Sequence, residues 1–263
     1  MTRYLRIYWL LIKFSAILET TYRLNFLVEC IVEIGYFIIT IVGLNILYAN
    51  VRSLAGWNYS QMLVLVGLNM IFSEILLGLS YIYNLRRLPA QVANGDLDLV
   101  LTKPINSQFA ASLWRPYFAL IPSVLTGLIV IKIGFNAGGF ILNPLYLIPF
   151  ILIFVSGLVI AYSFSVICCT LTFWWTNASP LPDLAQEIVL MSGRPYQIFE
   201  GFWKYLFLLL IPLAFMTTFP AQILMGELHW WWVPTSIILA AIFLKCSNLF
   251  WNFGLKHYSS ASS

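Results

Sequence analysis

The stretch LRRLPAQVANGDLDLVLTKP, residues 85–104, interrupts a chain that is otherwise built largely of long apolar runs. One apolar run ends just before it at Tyr83, and another begins after it near Ala110. A polar stretch between two apolar runs of membrane-crossing length is a loop that leaves the membrane on one side. We expect the remaining apolar runs to hold this loop in place.

The composition excludes a water-soluble globular protein. Of the 263 residues, 61% are hydrophobic and 9% are charged, and the mean hydropathy is +0.87. The apolar runs have the length, about 20 residues, that a helix needs to cross the hydrocarbon core, whereas a β-barrel would show short alternating segments. The sequence therefore predicts an all-α integral membrane protein with a single transmembrane domain, residues 1–263.

Six transmembrane helices are predicted from the apolar runs. They are residues 24–48, 61–83, 110–131, 145–173, 205–228 and 230–252. The fifth is expected to be broken, because Pro212 and Pro220 interrupt it, and to contain an external re-entrant piece. Residues 1–22 are predicted to form an amphipathic helix at the membrane surface; the alternative is that they are the polar start of the first span.

The basic residues predict the orientation. With six spans, both termini and the polar segments 84–109 and 176–204 lie on one side, together with twelve of the fourteen lysines and arginines. Because positive charge is concentrated on cytoplasmic loops, this side is predicted to be cytoplasmic and the membrane to be the cell's inner, plasma membrane. The second segment is expected to hold a short helix, residues 184–191, ended by Gly193.

Three carboxylates lie inside the predicted spans. Glu29 and Glu33 are four residues apart on the first span and share one helical face, and Glu74 lies on the second. A carboxylate in lipid costs at least about 2.5 kcal/mol on insertion scales, so these groups should face protein or water. They are candidates for lining a translocation path; the alternative is that they make helix-packing contacts.

Residues able to do catalytic or metal chemistry are sparse. The two histidines, His229 and His257, are far apart, and the four cysteines lie in apolar surroundings without ligand spacing. The net charge of +4 is explained by topology, so no nucleic-acid partner is expected. The chain also lacks a GxxxxGK[ST] phosphate loop, so an ATP-driven process would need an ATPase on another chain.

Two local patterns carry a resemblance to the permease subunits of ABC-2 type transporters that pair with a separate ATPase. NGDLD at 94–98 followed by LTKP at 101–104 resembles the family's G-x-L-D-x-x-L-x-x-P stretch between spans two and three. RPYQIF at 194–199, IPLAF at 211–215 and FPA at 219–221 are similar to a second family pattern. In that second pattern the chain departs from the family, because Pro195 precedes Tyr196 instead of following it.

The resemblance implies a transporter fold with a coupling helix in the first cytoplasmic loop. It implies that ABC ATPase subunits bind this loop, that a second permease subunit, identical or paralogous, faces the first, and that membrane lipid surrounds both. This chain would itself bind no cofactor, since ATP and magnesium would lie in the partner ATPase. The residues expected at the ATPase contact are Ala93, Asn94, Gly95, Asp96, Leu97, Asp98 and Leu101. Within this loop, residues 88–93 are predicted to form a short helix that a left-handed turn at Asn94-Gly95 ends, and Asp96 is expected to cap another turn.

The leading functional prediction is the transmembrane subunit of an ATP-driven exporter, which is not itself an enzyme. One alternative is a membrane enzyme that acts on lipid, with Glu29, Glu33 and Glu74 as acid-base groups. Another is a membrane scaffold that transports nothing.

Overall fold

A computed structural model of the chain describes residues 2–21, 23–117, 121–175, 178–227 and 230–258. In these residues the regular structure is helical, apart from an isolated antiparallel bridge between Leu54 and Trp57. Five helices of the described residues are long and apolar enough to cross a membrane, and a bent helix pair, Gly201–Leu208 with Leu213–Leu224, passes the same test. The all-α, multi-pass fold class predicted from the sequence is therefore confirmed.

The helices follow one another with short connections. The long ones are α1 (Thr2–Thr21), α2 (Arg23–Asn50) and α3 (Tyr59–Leu76), the last extended by a π-helical turn at Leu77–Tyr81. Three short helices come next, α4 (Leu88–Asn94), α5 (Leu97–Leu101) and α6 (Ser107–Ser112). The rest are α7 (Ile121–Gly138), α8 (Leu147–Thr170), α9 (Leu181–Leu190), α10 (Gly201–Tyr205), α11 (Thr218–Leu224) and α12 (Trp232–Leu255).

The α3–α7 pair is packed through glycines. A Cβ atom on Gly67 would lie 2.7 Å from the backbone oxygen of Gly127, and one on Gly134 would lie 2.9 Å from the backbone oxygen of Ser60. Small residues at such positions let two helix backbones approach closely, which matters in lipid because apolar side chains gain little by leaving it. The α3–α7 pair thus forms a tightly joined part of the bundle, and α8 and α12 form a second pair beside it.

The two ends of the bundle differ in their residues. We call the end that carries Arg86 and Arg87 the basic end, and the end that carries Trp57 the opposite end. At the basic end the last turns of α8 and α12 meet, where Phe173 and Trp251 have ring centroids 5.2 Å apart. At the opposite end the α2–α3 connection turns tightly, with Ala55 and Gly56 both at positive φ.

The helix of the third predicted span begins later than expected. The sequence predicted 110–131, but the long helix is Ile121–Gly138, and residues 113–117 are irregular. The side chain of Asn84 explains this, since it accepts a hydrogen bond from the Arg115 backbone nitrogen at 3.0 Å and donates one to the Arg115 oxygen at 3.1 Å. Pro116 also disfavours a helical conformation at Arg115.

The segment 176–204 was predicted to lie on the cytoplasmic side, whereas the structure places residues 181–198 against α3; the side of the membrane on which this segment ends stays a prediction. Near the start of α9, the hydroxyl of Tyr81, at the basic end of the second span, donates a hydrogen bond to Asp183. Further along, Asn69 in the middle of α3 donates to Ser192 Oγ at 3.2 Å. At the opposite end Trp57 Nε1 donates to Gln197 Oε1 at 3.3 Å. Residues 181–198 therefore run along the whole length of α3, as a short helix followed by irregular chain.

The helix within residues 181–198 also differs from the predicted one. It is Leu181–Leu190 rather than 184–191, with Pro182 in its first turn. Gly193 is not in the left-handed conformation of a C-cap. It is instead a contact point, since a Cβ atom there would lie 2.7 Å from Asn69 Oδ1.

Residues 201–227 enter and leave the bundle at the opposite end, whereas the sequence predicted a broken fifth span at 205–228. The bent pair in this part of the chain fits either a broken span or a re-entrant loop. They follow Gln197 at the opposite end and reach the middle of α8, where a Cβ atom on Gly157 would lie 2.5 Å from the backbone oxygen of Phe215. They return to the opposite end, where Gln61 in the first turn of α3 donates to Glu227 Oε1 at 2.8 Å. We call residues 201–227 the re-entrant loop.

The two prolines of the re-entrant loop have different roles. Pro212 lies at the reversal, after the π-helical turn Leu206–Leu210 and before the 3-10 turn Leu213–Phe215. Pro220 does not break a helix, because it lies in the first turn of α11, where the backbone N–H groups have no partner within the helix. The predicted break is therefore at Pro212 alone.

Candidate functional site

The segment 84–109 folds as two short helices joined by a glycine. A 3-10 turn at Leu85–Arg87 leads into α4, and Gly95 ends α4 in the left-handed conformation at φ 79°. The predicted short helix at 88–93 and the left-handed turn after it are confirmed. The expected capping by Asp96 is not, because Asp96 precedes α5 but its side chain makes no capping hydrogen bond.

Leucines on the inner side of the segment hold it to the bundle. Leu85, Leu88 and Leu97 are completely buried in one cluster with Trp251 of α12. Leu101, one helical turn after Leu97, packs on the same cluster. Fully burying a leucine side chain is worth about 1.5–3 kcal/mol, so these contacts fix the position of the segment strongly. Leu97 and Leu101, which the sequence placed at the partner contact, therefore face the bundle.

The other side of the segment is open. Ala93, Asn94 and Asp96 are exposed, and Leu99 is 70% exposed. We call these four residues the outer face. Leu99 was missed in the sequence, although its position between the inward-facing Leu97 and Leu101 of one short helix already puts it on the other side. Of the remaining predicted contact residues, Gly95 and Asp98 are half-buried.

The end of the segment is bound to α8 and α12 by a buried polar network. Gln108 is 3% exposed, and its Nε2 donates to the Tyr162 hydroxyl and to Ser247 Oγ, both at 3.3 Å. Its Oε1 accepts from Asn248 Nδ2 at 3.1 Å. A buried polar group without partners would be costly, and these hydrogen bonds satisfy Gln108 from two helices. The end of the segment 84–109 is thus held firmly to both α8 and α12.

The start of the segment is bound to different helices. Arg86 Nε lies 3.5 Å from Asp183 Oδ1 at the start of α9. The guanidinium groups of Arg87 and Arg115 both lie over the ring of Tyr83, at 5.2 and 4.1 Å from its centroid. Cations are attracted to the face of an aromatic ring. Tyr83 therefore holds Arg87, at the start of the segment, close to Arg115, which precedes α7.

The predicted amphipathic helix at residues 1–22 corresponds to α1, and residue 22 lies outside the described residues. Tyr8 of α1 packs edge-on against Phe109, with ring centroids 6.1 Å apart, so α1 contacts the end of the segment 84–109. Burial raises the pKa of Tyr8 to about 12. Trp9, Leu10 and Phe14 are exposed, as an apolar face toward lipid would be.

The three carboxylates of the predicted path lie in different surroundings. Glu33 is half-buried on α2, and the side chain of Glu29 lies outside what the structure describes. Glu74 lines a cleft of about 210 Å³ between α3 and the start of α7, whose walls are otherwise mostly apolar. Tyr117 is part of this cleft, and its backbone nitrogen donates to the Gly78 oxygen at 2.8 Å. The role of the three carboxylates in a path stays a prediction.

A polar crevice at the opposite end was not foreseen in the sequence. It has a volume of about 220 Å³ and brings together the α2–α3 connection, the end of residues 181–198 and the end of the re-entrant loop. Its lining residues are Ala55, Gly56, Trp57, Gln61, Gln197, Gln222 and Glu227. Gln61 precedes Gln197 and Gln222 by more than a hundred residues, so spacing alone gives no signal for the crevice.

In the part of the chain that the structure describes, no three side chains of the His, Cys, Asp and Glu types are grouped as metal ligands. All four cysteines are free thiols, and of these only Cys246 is exposed. What the structure brings together at the segment 84–109 is a set of packing and hydrogen-bonding contacts.

The fold and the anchored segment define a polytopic helical membrane protein with a rigid loop at its basic end. A family model described as "ABC-2 family transporter protein" matches residues 34–262, so the chain belongs to the ABC-2 transporter family. It is a transport permease, and this family is a membrane transport component rather than an enzyme. The match covers the segment 84–109 and the re-entrant loop but not α1. No significant match was found among curated proteins or solved structures.

Proposed function

We propose that this permease is the membrane subunit of an ATP-driven exporter and that a separate ABC ATPase supplies the energy. The observation that carries the proposal is the anchoring of the segment 84–109. Leu88 and Leu97 bury its inner side, and Gln108 ties its end to α8 and α12. A loop held this firmly moves together with the helices it joins, so a force applied to it reaches the membrane helices.

The outer face is the proposed contact with the ATPase. Ala93, Asn94, Asp96 and Leu99 are exposed on it, with Gly95 and Asp98 beside them. The exposed Leu99 would enter an apolar pocket of the partner, and Asp96 would face a basic group there. ATP and magnesium would bind in the ATPase, and its closure would press on the segment.

The proposed orientation rests on six crossings. We take these to be α2, α3, α7, α8, residues 181–198 and α12, which would return both termini to the basic end. Arg194 and Lys204 leave the count of basic residues on that side, so ten of the fourteen remain there. The bias still favours a cytoplasmic basic end in the inner, plasma membrane, and an external re-entrant loop.

A second permease subunit, identical or paralogous, would complete the transporter. α2 supports this, since its candidate span, Cys30–Asn50, has none of its apolar window buried within the chain. Such a helix is covered in the membrane by lipid or by another subunit. The half-buried Glu33 on α2 would then lie near the path, with Glu29 on the same helix and Glu74 on α3.

The experiment is purification of the tagged chain from its native membranes in mild detergent, with an assay for vanadate-sensitive ATP hydrolysis. We expect ATPase activity to copurify, and Leu99→Asp to remove at least about nine-tenths of it, because a hot-spot truncation of about 2 kcal/mol weakens binding more than tenfold. Leu142→Asp is the matched control, an exposed leucine at the opposite end. A wild-type chain that purifies without ATPase and moves substrate without nucleotide would refute the proposal.

A further inference from the structure

One carboxylate oxygen at the basic end is shared by three elements. Asp183 Oδ1 accepts a hydrogen bond from the Tyr81 hydroxyl, at the end of the second crossing. The same oxygen lies 3.5 Å from Nε of Arg86, in the turn that begins the segment 84–109. Asp183 itself lies in the first turn of α9, which begins the fifth crossing. The segment and the fifth crossing are therefore joined at this side chain.

The far end of α9 is joined to the re-entrant loop. The hydroxyl of Thr217 donates a hydrogen bond to the backbone oxygen of Ser192, just after α9 ends. Asn69 of α3 donates to the Ser192 hydroxyl at 3.2 Å, so the same residue is also held by the second crossing. Thr217 is completely buried and immediately precedes α11. The end of α9 and the re-entrant loop are thus joined at Ser192.

The helix between these two points is short and well packed. Pro182, Ala185 and Val189 are buried on one side of α9, whereas Asp183 and Glu187 are exposed. A ten-residue helix with one buried side moves as a unit, so a displacement at its start appears at its end. Asp183 is the charged group in its first turn, and a charged acceptor forms short, directional hydrogen bonds.

We propose that Asp183 is a positioning residue that passes movement of the segment 84–109 to the re-entrant loop through α9. The proposal rests on the proposed function, since it takes the ATPase as the source of the movement. The ion pair contributes little to stability, because the Arg86 and Asp183 side chains are 62% and 56% exposed. Loss of Asp183 should therefore change coupling while leaving the folded state intact.

The experiment is hydrogen exchange, followed by mass spectrometry, on the complex of this chain with its ATPase in lipid nanodiscs. Exchange is compared without nucleotide and with ATP plus vanadate. In the wild type, nucleotide should change exchange both in 84–109 and in 213–227. In Asp183→Ala, the change in 84–109 should remain and the change in 213–227 should be lost. Tyr81→Phe, which removes one hydroxyl from the same contact, should reduce the change in 213–227.

Glu187→Ala is the matched control, an exposed carboxylate one turn further along α9. It should retain both nucleotide-dependent changes, and the melting temperatures of all variants should match the wild type. If Asp183→Ala and Tyr81→Phe keep the change in 213–227, Asp183 does not pass on the movement, although the ATPase still acts on the segment. If nucleotide leaves 84–109 unchanged in the wild type, the proposed function fails, and this proposal with it.

Discussion

The second and fifth crossings run side by side through the bundle and are built in different ways. The second, Tyr59–Tyr81, is a continuous helical span with high mean hydropathy. The fifth, residues 181–198, is a ten-residue helix followed by a 3-10 turn, extended chain and a second 3-10 turn at Tyr196–Ile198. Irregular backbone at membrane depth is tolerated where protein covers it, and α3 and the re-entrant loop do so here.

The difference shows that a crossing segment is defined by its neighbours as much as by its own composition. The fifth crossing contains Asp183, Glu187 and Arg194, which made it look like a soluble loop. Its buried residues, among them Ala185, Val189 and Ser192, face the other helices and supply the packing that a lipid-facing span would obtain from lipid.

The largest expected effect is all-or-none and concerns which side of the membrane the end of the fifth crossing reaches. Glu200 is exposed just after this crossing. With Cys246 replaced by serine, Glu200→Cys should react in intact cells with a maleimide that cannot cross the membrane. Asp96→Cys, on the outer face, should react only after the cells are permeabilised. If Glu200→Cys reacts only after the cells are permeabilised, residues 176–204 lie on one side of the membrane and residues 181–198 do not cross it.

The second prediction concerns the close approach of α3 to α7. A Cβ atom on Gly67 would meet backbone atoms of α7, 2.7 Å from the Gly127 oxygen, so a leucine there must push the helices apart. Overpacking costs about 1–3 kcal/mol and more where backbone must move, so Gly67→Leu should lower the free energy of unfolding by at least about 3 kcal/mol. Thermal unfolding in detergent measures it. Gly43→Leu on α2, where nothing lies within 4 Å, should leave the unfolding temperature unchanged.

The sequence predicted those parts of the fold whose structure depends on the local sequence alone. The long apolar helices α2, α3, α8 and α12 were predicted within a few residues, because hydrocarbon requires a continuous apolar run. It misplaced the start of α7, since the Asn84 side chain binds the Arg115 backbone across 31 residues of sequence. It also gave no sign that residues 181–198 lie along α3, because their partners Tyr81, Asn69 and Trp57 are all distant in sequence.

The candidate site was predicted in outline and not in the direction of its side chains. The family-like stretch around Gly95 indicated a short helix, a turn and a second helix, because left-handed glycine and helix length are local properties. Leu97 and Leu101 were assigned to the partner contact, but their burial depends on Trp251 more than a hundred residues later. Leu99 is the exposed leucine: helix geometry puts it on the other side from Leu97 and Leu101, but only the packed fold shows which side faces the bundle.

The smallest expected effect tests what the exposed side of the fifth crossing meets in the membrane. Glu187 lies exposed on α9, one turn after Asp183. If this side faced hydrocarbon, Glu187→Leu would remove an unfavourable carboxylate and raise the free energy of unfolding by about 2.5 kcal/mol or more. We expect a change of less than about 0.5 kcal/mol, as at an ordinary wet or protein-lined surface. Steric trapping in bilayers measures the difference, with Leu184→Ala on the same exposed side as control. A large stabilisation by Glu187→Leu would mean that lipid covers this side, and the fifth crossing would then resemble the second in its surroundings.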